Sequence, residues 1–104
     1  MKVTAWNNGS PSKTGAGYGL KVSIPDRDNH FQRAWKTVLI ILPNGVKTNV
    51  NIDKDSFWNG TCRELIGRPI GEWLIESGNA PWQRGKPPKL ELTPIGDRQF
   101  KLNG

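Results

Sequence analysis

The feature that most constrains the fold is the turn sequence Pro43-Asn44-Gly45, which separates two segments with the composition of β-strands. Residues 35–42 end in an unbroken apolar run, and residues 46–52 alternate along the chain. Asparagine and glycine both tolerate positive φ, so an Asn-Gly pair between two such segments predicts a tight antiparallel hairpin. The apolar run also predicts that the second half of the first strand is buried on both faces.

Short strand patterns recur along the rest of the chain and are separated by turn residues. The alternation of residues 18–24 predicts a half-buried strand that ends at Pro25. Residues 2–6 predict another short strand, and residues 89–93 and 99–102 predict a final strand pair.

Helical patterns are fewer. Residues 66–77 predict one amphipathic helix, because their apolar side chains recur at helical spacing. The apolar residues of that predicted face are Ile66, Ile70, Trp73 and Leu74. Residues 26–33 predict one further helical turn, with Asp26 as a candidate cap. The chain is therefore predicted to be a β-rich α+β protein, a small open barrel of about six or seven strands with one or two short helices.

The length of 104 residues predicts a single domain with its own core. We expect a strand and a flexible Gly/Ser/Asn loop over residues 1–19, and the barrel core over residues 20–104. The first residues lack the apolar run of a signal peptide, and the longest apolar run, residues 38–42, is far shorter than a membrane span. We therefore expect a soluble, cytoplasmic protein with no membrane partner.

The composition combines basic charge with aromatic side chains: the formal net charge is +6 at pH 7, and there are five tryptophans. One histidine and one cysteine leave little of the usual chemistry of catalysis and metal binding. Lysine and arginine are spread along the chain, which argues against a disordered basic tail. Two outcomes stay open: the bases converge on one face and bind a polyanion, or they only solvate the surface.

Each candidate for catalysis or cofactor binding has a simpler structural interpretation. The glycine-rich residues 15–19 precede a strand rather than a helix, so they do not match a phosphate-binding loop. His30 has only aspartates beside it, and Cys62 is predicted to be a small core residue. Asp53 and Asp55 form a tight acidic group without the pattern of a metal nuclease. We therefore expect no catalytic residue, no metal site and no cofactor.

The tryptophans divide by their surroundings in the sequence. Trp35 and Trp73 follow strand and helix periodicity and are predicted to lie in the core. Trp6 and Trp82 lie in loop-like sequence and are predicted to seal the ends of the barrel.

Residues 51–63 form the strongest candidate for nucleic-acid binding, because they place basic, amide and hydroxyl side chains in a segment predicted to be irregular. Arginine and asparagine contact base edges, whereas lysine, serine and threonine hold phosphates. Phe57 and Trp58 either anchor this segment to the core or stack on bases. The predicted nucleic-acid-binding residues, including those from an earlier segment, are Lys13, Lys21, Arg27, Asn51, Lys54, Asn59 and Arg63.

The order of the predicted elements is itself informative. A strand and a helical turn precede the hairpin at Leu42-Pro43-Asn44-Gly45. A polar segment follows, and then a helix that ends in Glu72-Trp73-Leu74-Ile75-Glu76-Ser77-Gly78. The last predicted element is a strand pair that ends in Arg98-Gln99-Phe100-Lys101-Leu102. This order resembles the DNA-binding pseudobarrel of plant auxin-response-type domains and of restriction-endonuclease effector domains. The resemblance covers most of residues 20–102. It implies that two polar arms, residues 13–27 and 51–63, grip the major groove.

One mark of that family is missing, since Arg84-Gly85-Lys86 stands where a Gly-Asp step is expected. The leading hypothesis is a non-enzymatic domain whose basic arms bind duplex DNA. In that hypothesis, loss of Lys54 weakens binding to all sequences and loss of Arg63 also relaxes specificity.

Two alternatives stay open. One is a protein-interaction or inhibitor module of a mobile element that uses exposed Trp58 or Trp82 as anchors. The other is a small ribonuclease-type enzyme in which His30 or Asp55 acts with Arg63.

Overall fold

The computed structural model describes residues 1–60 and 62–104. Seven strands form one sheet in the order β4-β3-β7-β6-β1-β2-β5. The strands are β1 Lys2–Asn7, β2 Tyr18–Lys21, β3 Thr37–Ile41, β4 Lys47–Asn51, β5 Glu64–Ile66, β6 Lys89–Gly96 and β7 Gln99–Asn103. The helices are α1 Ile24–His30, α2 Asp55–Trp58 and α3 Arg68–Glu76. Among the described residues no helix is both long and apolar enough to cross a membrane.

The predicted β3–β4 hairpin is confirmed, with Val38 paired to Val50. The amide of Gly45 donates to the Leu42 carbonyl at 2.9 Å, and the Leu42 amide donates to the Val46 carbonyl at 2.8 Å. Gly45 alone in this turn has positive φ, at 86°. The loop is therefore the three-residue kind, in which a turn is followed by a glycine in the left-handed region.

The sheet curls into a nearly closed barrel, which confirms the predicted fold class. Inward side chains of all seven strands join one core cluster, and β1 contributes Val3 and Ala5 to it. The two edge strands approach each other, because a Cβ built on Gly67, just after β5, would lie 3.5 Å from Oγ1 of Thr48 on β4.

Strand β3 differs from its prediction. Val38 and Ile40 are buried, but Leu39 and Ile41 are only half-buried, so β3 alternates instead of being buried on both faces. The reason is that one layer of strands encloses the core, and the other side of each strand faces outward.

The helices also depart from the predictions, since the described residues form three helices instead of one or two. Helix α1 begins where a strand was predicted to continue, and its cap is Ser23, whose Oγ accepts from the amide of Asp26 at 3.2 Å. Helix α2 lies inside residues 51–63, which were predicted to be irregular.

Helix α3 buries Ile70, Trp73 and Leu74 as predicted. Ile66 was predicted on the same helical face, but it belongs to β5 and is 38 % exposed. Gly71 on α3 lies against Gly15, because a Cβ built on Gly71 would be 1.9 Å from the Gly15 carbonyl oxygen. The glycine-rich loop before β2 is thus packed on a helix, and its backbone approaches this chain itself instead of a ligand.

Candidate functional site

The two predicted arms contact each other where residues 22–27 meet residues 54–60 and 62–64, a region we call the arm contact. The Arg63 side chain donates through Nε to the Val22 carbonyl at 2.9 Å and through Nη1 to the Gly60 carbonyl. The Val22 amide donates back to the Arg63 carbonyl at 2.9 Å. Arg63 thus joins the two segments, and its guanidinium is not directed at an outside ligand.

Arg27 is also part of the protein interior, with only 8 % of its surface exposed. Its Nη1 donates to the Phe57 carbonyl at 2.9 Å, and its Nε donates to Oδ1 of Asp28 at 3.1 Å. Its guanidinium lies 5.7 Å from the centroid of the Trp58 ring. Burial and these internal partners occupy donors of Arg27, and its contact with nucleic acid stays a prediction.

Lys54 is half-buried in the same region. Its Nζ donates to the Glu64 carbonyl at 3.3 Å and lies 3.7 Å from Sγ of Cys62. The Cys62 thiol in turn donates to Oε1 of Glu64 at 3.3 Å. Cys62 was predicted to be a core residue, but it is half-buried within this polar cluster.

The aromatic pair of this segment anchors it to the core. Phe57 is fully buried, and Trp58 packs edge-on against it with ring centroids 5.2 Å apart. The indole Nε1 of Trp58 donates to the Ile52 carbonyl at 2.9 Å. Trp58 is therefore half-buried, and its ring contact and hydrogen bond hold the segment to the core.

The other predicted site residues are exposed and lie on separate elements of the fold. Asn51 accepts from the amide of Asp53 at 3.0 Å, and the amide of Asn59 donates to the Asp55 carbonyl at 2.8 Å. Lys21 is exposed at one end of β2, while Lys13 lies in the loop that enters its other end. The predicted hydroxyl of Thr61 lies outside the described residues.

A different basic surface lies on the outer face of the sheet, where β6, β1 and β2 run side by side. Lys89, Thr4 and Lys21 are in register across these strands and alternate with inward-facing core residues. Lys2 lies two residues before Thr4 on the same side of β1. We call Lys2, Lys21 and Lys89, with Thr4 between them, the lysine face.

The ammonium groups of the lysine face have no internal partners. Over residues 1–60 and 62–104, none of the three lysines makes an ion pair or a hydrogen bond through its side chain. Glu91, opposite Lys2, is the one exposed carboxylate on strands β1, β2 and β6, all of which are described. Glu64, opposite Lys21, is only 5 % exposed and accepts from Cys62. The face therefore carries excess positive charge.

A row of apolar side chains lies beside the lysine face. Trp6 pairs with Gly19, which pairs with Ile66 on β5. Trp6 follows Thr4 on the outer side of β1, so it does not seal an end of the barrel as predicted. We call Trp6, Gly19 and Ile66 the apolar row.

A basic loop continues from the lysine face. Arg84 and Lys86 are exposed and precede Lys89, and the Ala5 amide fastens the end of this loop to β1 by donating to the Pro88 carbonyl at 2.9 Å. Of this surface sequence reasoning identified only Lys21, although the alternation of Lys2, Thr4 and Trp6 with buried residues was a usable signal for the rest.

Two cavities lie elsewhere. One of about 200 Å³ is polar and lies on the outer side of β3, β4 and β7, lined by Thr37, Leu39, Asn49, Asp97, Arg98 and Gln99. The other, of about 390 Å³, is an apolar groove lined by Pro11, Ser12, Lys13, Tyr18, Ile75 and Pro81. Trp82 packs edge-on against Tyr18, with ring centroids 5.8 Å apart, and is itself packed on the core.

Among the described residues, no hydrogen bond or ion pair joins the side chains of His30, Asp55 and Arg63, the residues proposed for an enzyme. His30 is exposed at the end of α1, and Asp55 pairs with Arg33 at 3.8 Å. Arg63 is held by the carbonyls of Val22 and Gly60. Across the described part of the chain, no three His, Cys, Asp or Glu side chains group closely enough to hold a metal ion.

Comparison of the chain with models of protein families, with curated proteins and with solved structures gave no match. The resemblance to the pseudobarrel family therefore stays a prediction.

Proposed function

We propose that this protein is a non-enzymatic nucleic-acid-binding domain that contacts the phosphate backbone through its lysine face. The observation that carries the proposal is the set of three exposed, unpartnered lysines on β6, β1 and β2, of which Lys21 and Lys89 lie in register with Thr4 between them. Unpaired ammonium groups on one surface attract a polyanion and release its counterions, which drives binding.

The spacing of the lysines suits a nucleic-acid backbone. Lys21 and Lys89 stand on strands that flank β1, so their Cα atoms are about 10 Å apart. That separation corresponds to about three phosphates of one strand. Because the sheet holds these positions rigidly, little conformational entropy of the backbone is lost on binding.

The lysine face supports this function better than the arm contact does. In the arm contact the cations of Arg27, Lys54 and Arg63 already bind carbonyl groups of the protein. Using them for phosphates would require breaking those hydrogen bonds first. The lysine face offers ammonium groups and no group suited to catalysis, so the proposed function is binding without a chemical reaction.

Fluorescence anisotropy with a labelled oligonucleotide tests the proposal. We expect the logarithm of affinity to fall linearly with the logarithm of salt concentration between about 50 and 200 mM. A double variant, Lys21→Ala with Lys89→Ala, should lower affinity about tenfold and reduce the salt slope by about 1.4 on a single strand.

The matched control is Lys47→Ala with Lys101→Ala. It removes the same charge from the outer side of β4 and β7, away from the lysine face. Affinity equal to wild type in the lysine-face variant, or an equal loss in both variants, contradicts the proposed interface. Absence of binding to single and double strands at low salt contradicts the function itself.

A further inference from the structure

Trp6 differs from the other four tryptophans in its contacts with the core. Trp73 lies in the core, and Trp35, Trp58 and Trp82 pack against it. Trp6 is partly exposed and does not belong to that cluster. Within residues 1–60 and 62–104, its indole Nε1 donates to no acceptor, in contrast to the indole of Trp58. A half-buried aromatic ring that has no aromatic, cationic or hydrogen-bond partner among the described residues is a candidate for ligand contact.

The apolar row holds this ring in a defined position. Trp6 and Ile66 flank Gly19, which has no side chain to stand between them. A side chain at that position is excluded, because a Cβ built on Gly19 would lie 2.7 Å from the Leu65 carbonyl oxygen. The sheet thus keeps Trp6 and the 38 % exposed Ile66 as neighbours on its outer surface.

The apolar row and the lysine face run parallel across the same strands. Trp6 is two residues from Thr4 along β1, and Gly19 is two residues from Lys21 along β2. Two residues of a strand span about 6.7 Å, a separation that one nucleotide can bridge between its phosphate and its base. A strand whose phosphates follow the lysines can therefore reach Trp6 with a base.

We propose that the lysine face and the apolar row together bind single-stranded nucleic acid, with a base stacked on Trp6. This inference rests on the proposed nucleic-acid binding. It selects single strands because the bases of a duplex are stacked on one another and cannot offer a face to the indole ring. It also selects no base sequence, because every base has a π-face and no hydrogen-bonding group of the protein is required.

The experiment compares three labelled probes of equal phosphate number: oligo-thymidine, a single strand without bases, and a duplex. Wild-type protein should bind oligo-thymidine about tenfold more tightly than the strand without bases. Trp6→Ala should remove that difference and leave binding to the strand without bases unchanged. Trp6→Phe should keep most of it, since phenylalanine also stacks.

Two further variants separate stacking from general effects. Trp6→Leu keeps apolar bulk on β1 without an aromatic system, so it should behave as Trp6→Ala while preserving the fold. Ile95→Ala removes an exposed apolar side chain, 48 % accessible, near the far end of β6 and should change nothing. The comparison of wild type on the two single strands needs no variant, so it holds even where Trp6→Ala fails to fold.

The outcomes distinguish this inference from the function on which it rests. Equal wild-type binding to the strands with and without bases overturns the stacking on Trp6. If the double variant Lys21→Ala with Lys89→Ala still weakens binding when the two strands bind equally, the proposed nucleic-acid binding stands without stacking on Trp6. Tighter binding to duplex than to oligo-thymidine also overturns the inference of single-strand binding. Absence of binding to any probe overturns both this inference and the proposed function.

Discussion

The arm contact and the lysine face are both basic, but they use their charges in opposite ways. In the arm contact the side chains of Arg27, Lys54 and Arg63 donate to carbonyl oxygens of the protein. On the lysine face, Lys21 and Lys89 have no partner within the described chain. Abundance of basic residues in a segment is therefore a poor guide to which cations stay without a partner inside the protein.

The cause lies in the backbone. A segment outside the sheet leaves carbonyl groups without strand partners, and buried carbonyls require donors. The carbonyls of Phe57 and Gly60, which lie outside the sheet, obtain theirs from the side chains of Arg27 and Arg63. In β1 and β2 the strands pair their backbone groups with each other, so outward lysines such as Lys21 stay available. Carbonyl groups outside the sheet thus engage basic side chains, whereas outward side chains on these paired strands stay free.

Removal of Arg27 gives the sharpest test, with the largest expected effect on stability. Arg27→Ala leaves the Phe57 carbonyl without its donor and removes the cation beside Trp58. We expect a loss of about 2–3 kcal/mol in the free energy of unfolding, measured by urea denaturation. The affinity of the folded fraction for oligo-thymidine should stay unchanged. A large loss of affinity with stability intact would transfer the interface to the arm contact.

Removal of Arg63 should have the next largest effect. Arg63→Ala breaks the donation to the Val22 carbonyl at 2.9 Å and the link to Gly60. We expect a loss of about 1–2 kcal/mol in the free energy of unfolding, because the guanidinium is only half-buried and water replaces part of its role. Thermal unfolding followed by circular dichroism measures it. A relaxed base preference at unchanged stability would instead restore the original role of Arg63 in specificity.

One chemical change made in both regions compares them directly. Lys21→Gln should lower affinity about threefold and leave stability within about 0.5 kcal/mol, since Lys21 is exposed and unpaired. Lys54→Gln should lower the free energy of unfolding by about 1 kcal/mol through the lost donation to Glu64. Anisotropy and urea denaturation on the same two proteins measure both effects. If the two variants exchange these behaviours, the assignment of the two regions is reversed.

The smallest effect is expected at the rim of the arm contact. Arg33 lies 3.8 Å from Asp55, with side chains 67 % and 97 % exposed. Such a pair is screened by water and contributes little, so Arg33→Ala should change stability by less than about 0.5 kcal/mol. The same denaturation series measures it. A loss above 1 kcal/mol would show that stacking of Arg33 over Trp58, at 5.7 Å, matters more than the ion pair.

Part of the fold follows from local sequence, because short-range sterics decide it. The Pro43-Asn44-Gly45 turn requires a residue with positive φ, and Gly45 provides it. The periodicity of residues 70–74 places Ile70 and Trp73 against the core, as predicted. The β-rich class follows in the same way from the recurrence of short alternating segments.

Part of the candidate site could not be predicted, because it depends on contacts between distant residues. Gly71 looks unfavourable within a helix until the approach of Gly15 explains it. Ile66 fits a helical pattern, but pairing of β5 with β2 makes it a strand residue beside Gly19. Helix propensity and period are local, and these contacts override them.

The sequence by itself determined a basic, β-rich barrel with a hairpin and one amphipathic helix, since composition, turn residues and periodicity are properties of neighbouring residues. The tertiary structure alone decided which cations are free. Lys2 lies opposite Glu91, and Thr4 lies between Lys21 and Lys89. Only pairing between strands that are distant in the chain assembles the lysine face. Only the folded backbone places carbonyl groups where the side chains of Arg27, Lys54 and Arg63 donate hydrogen bonds to them.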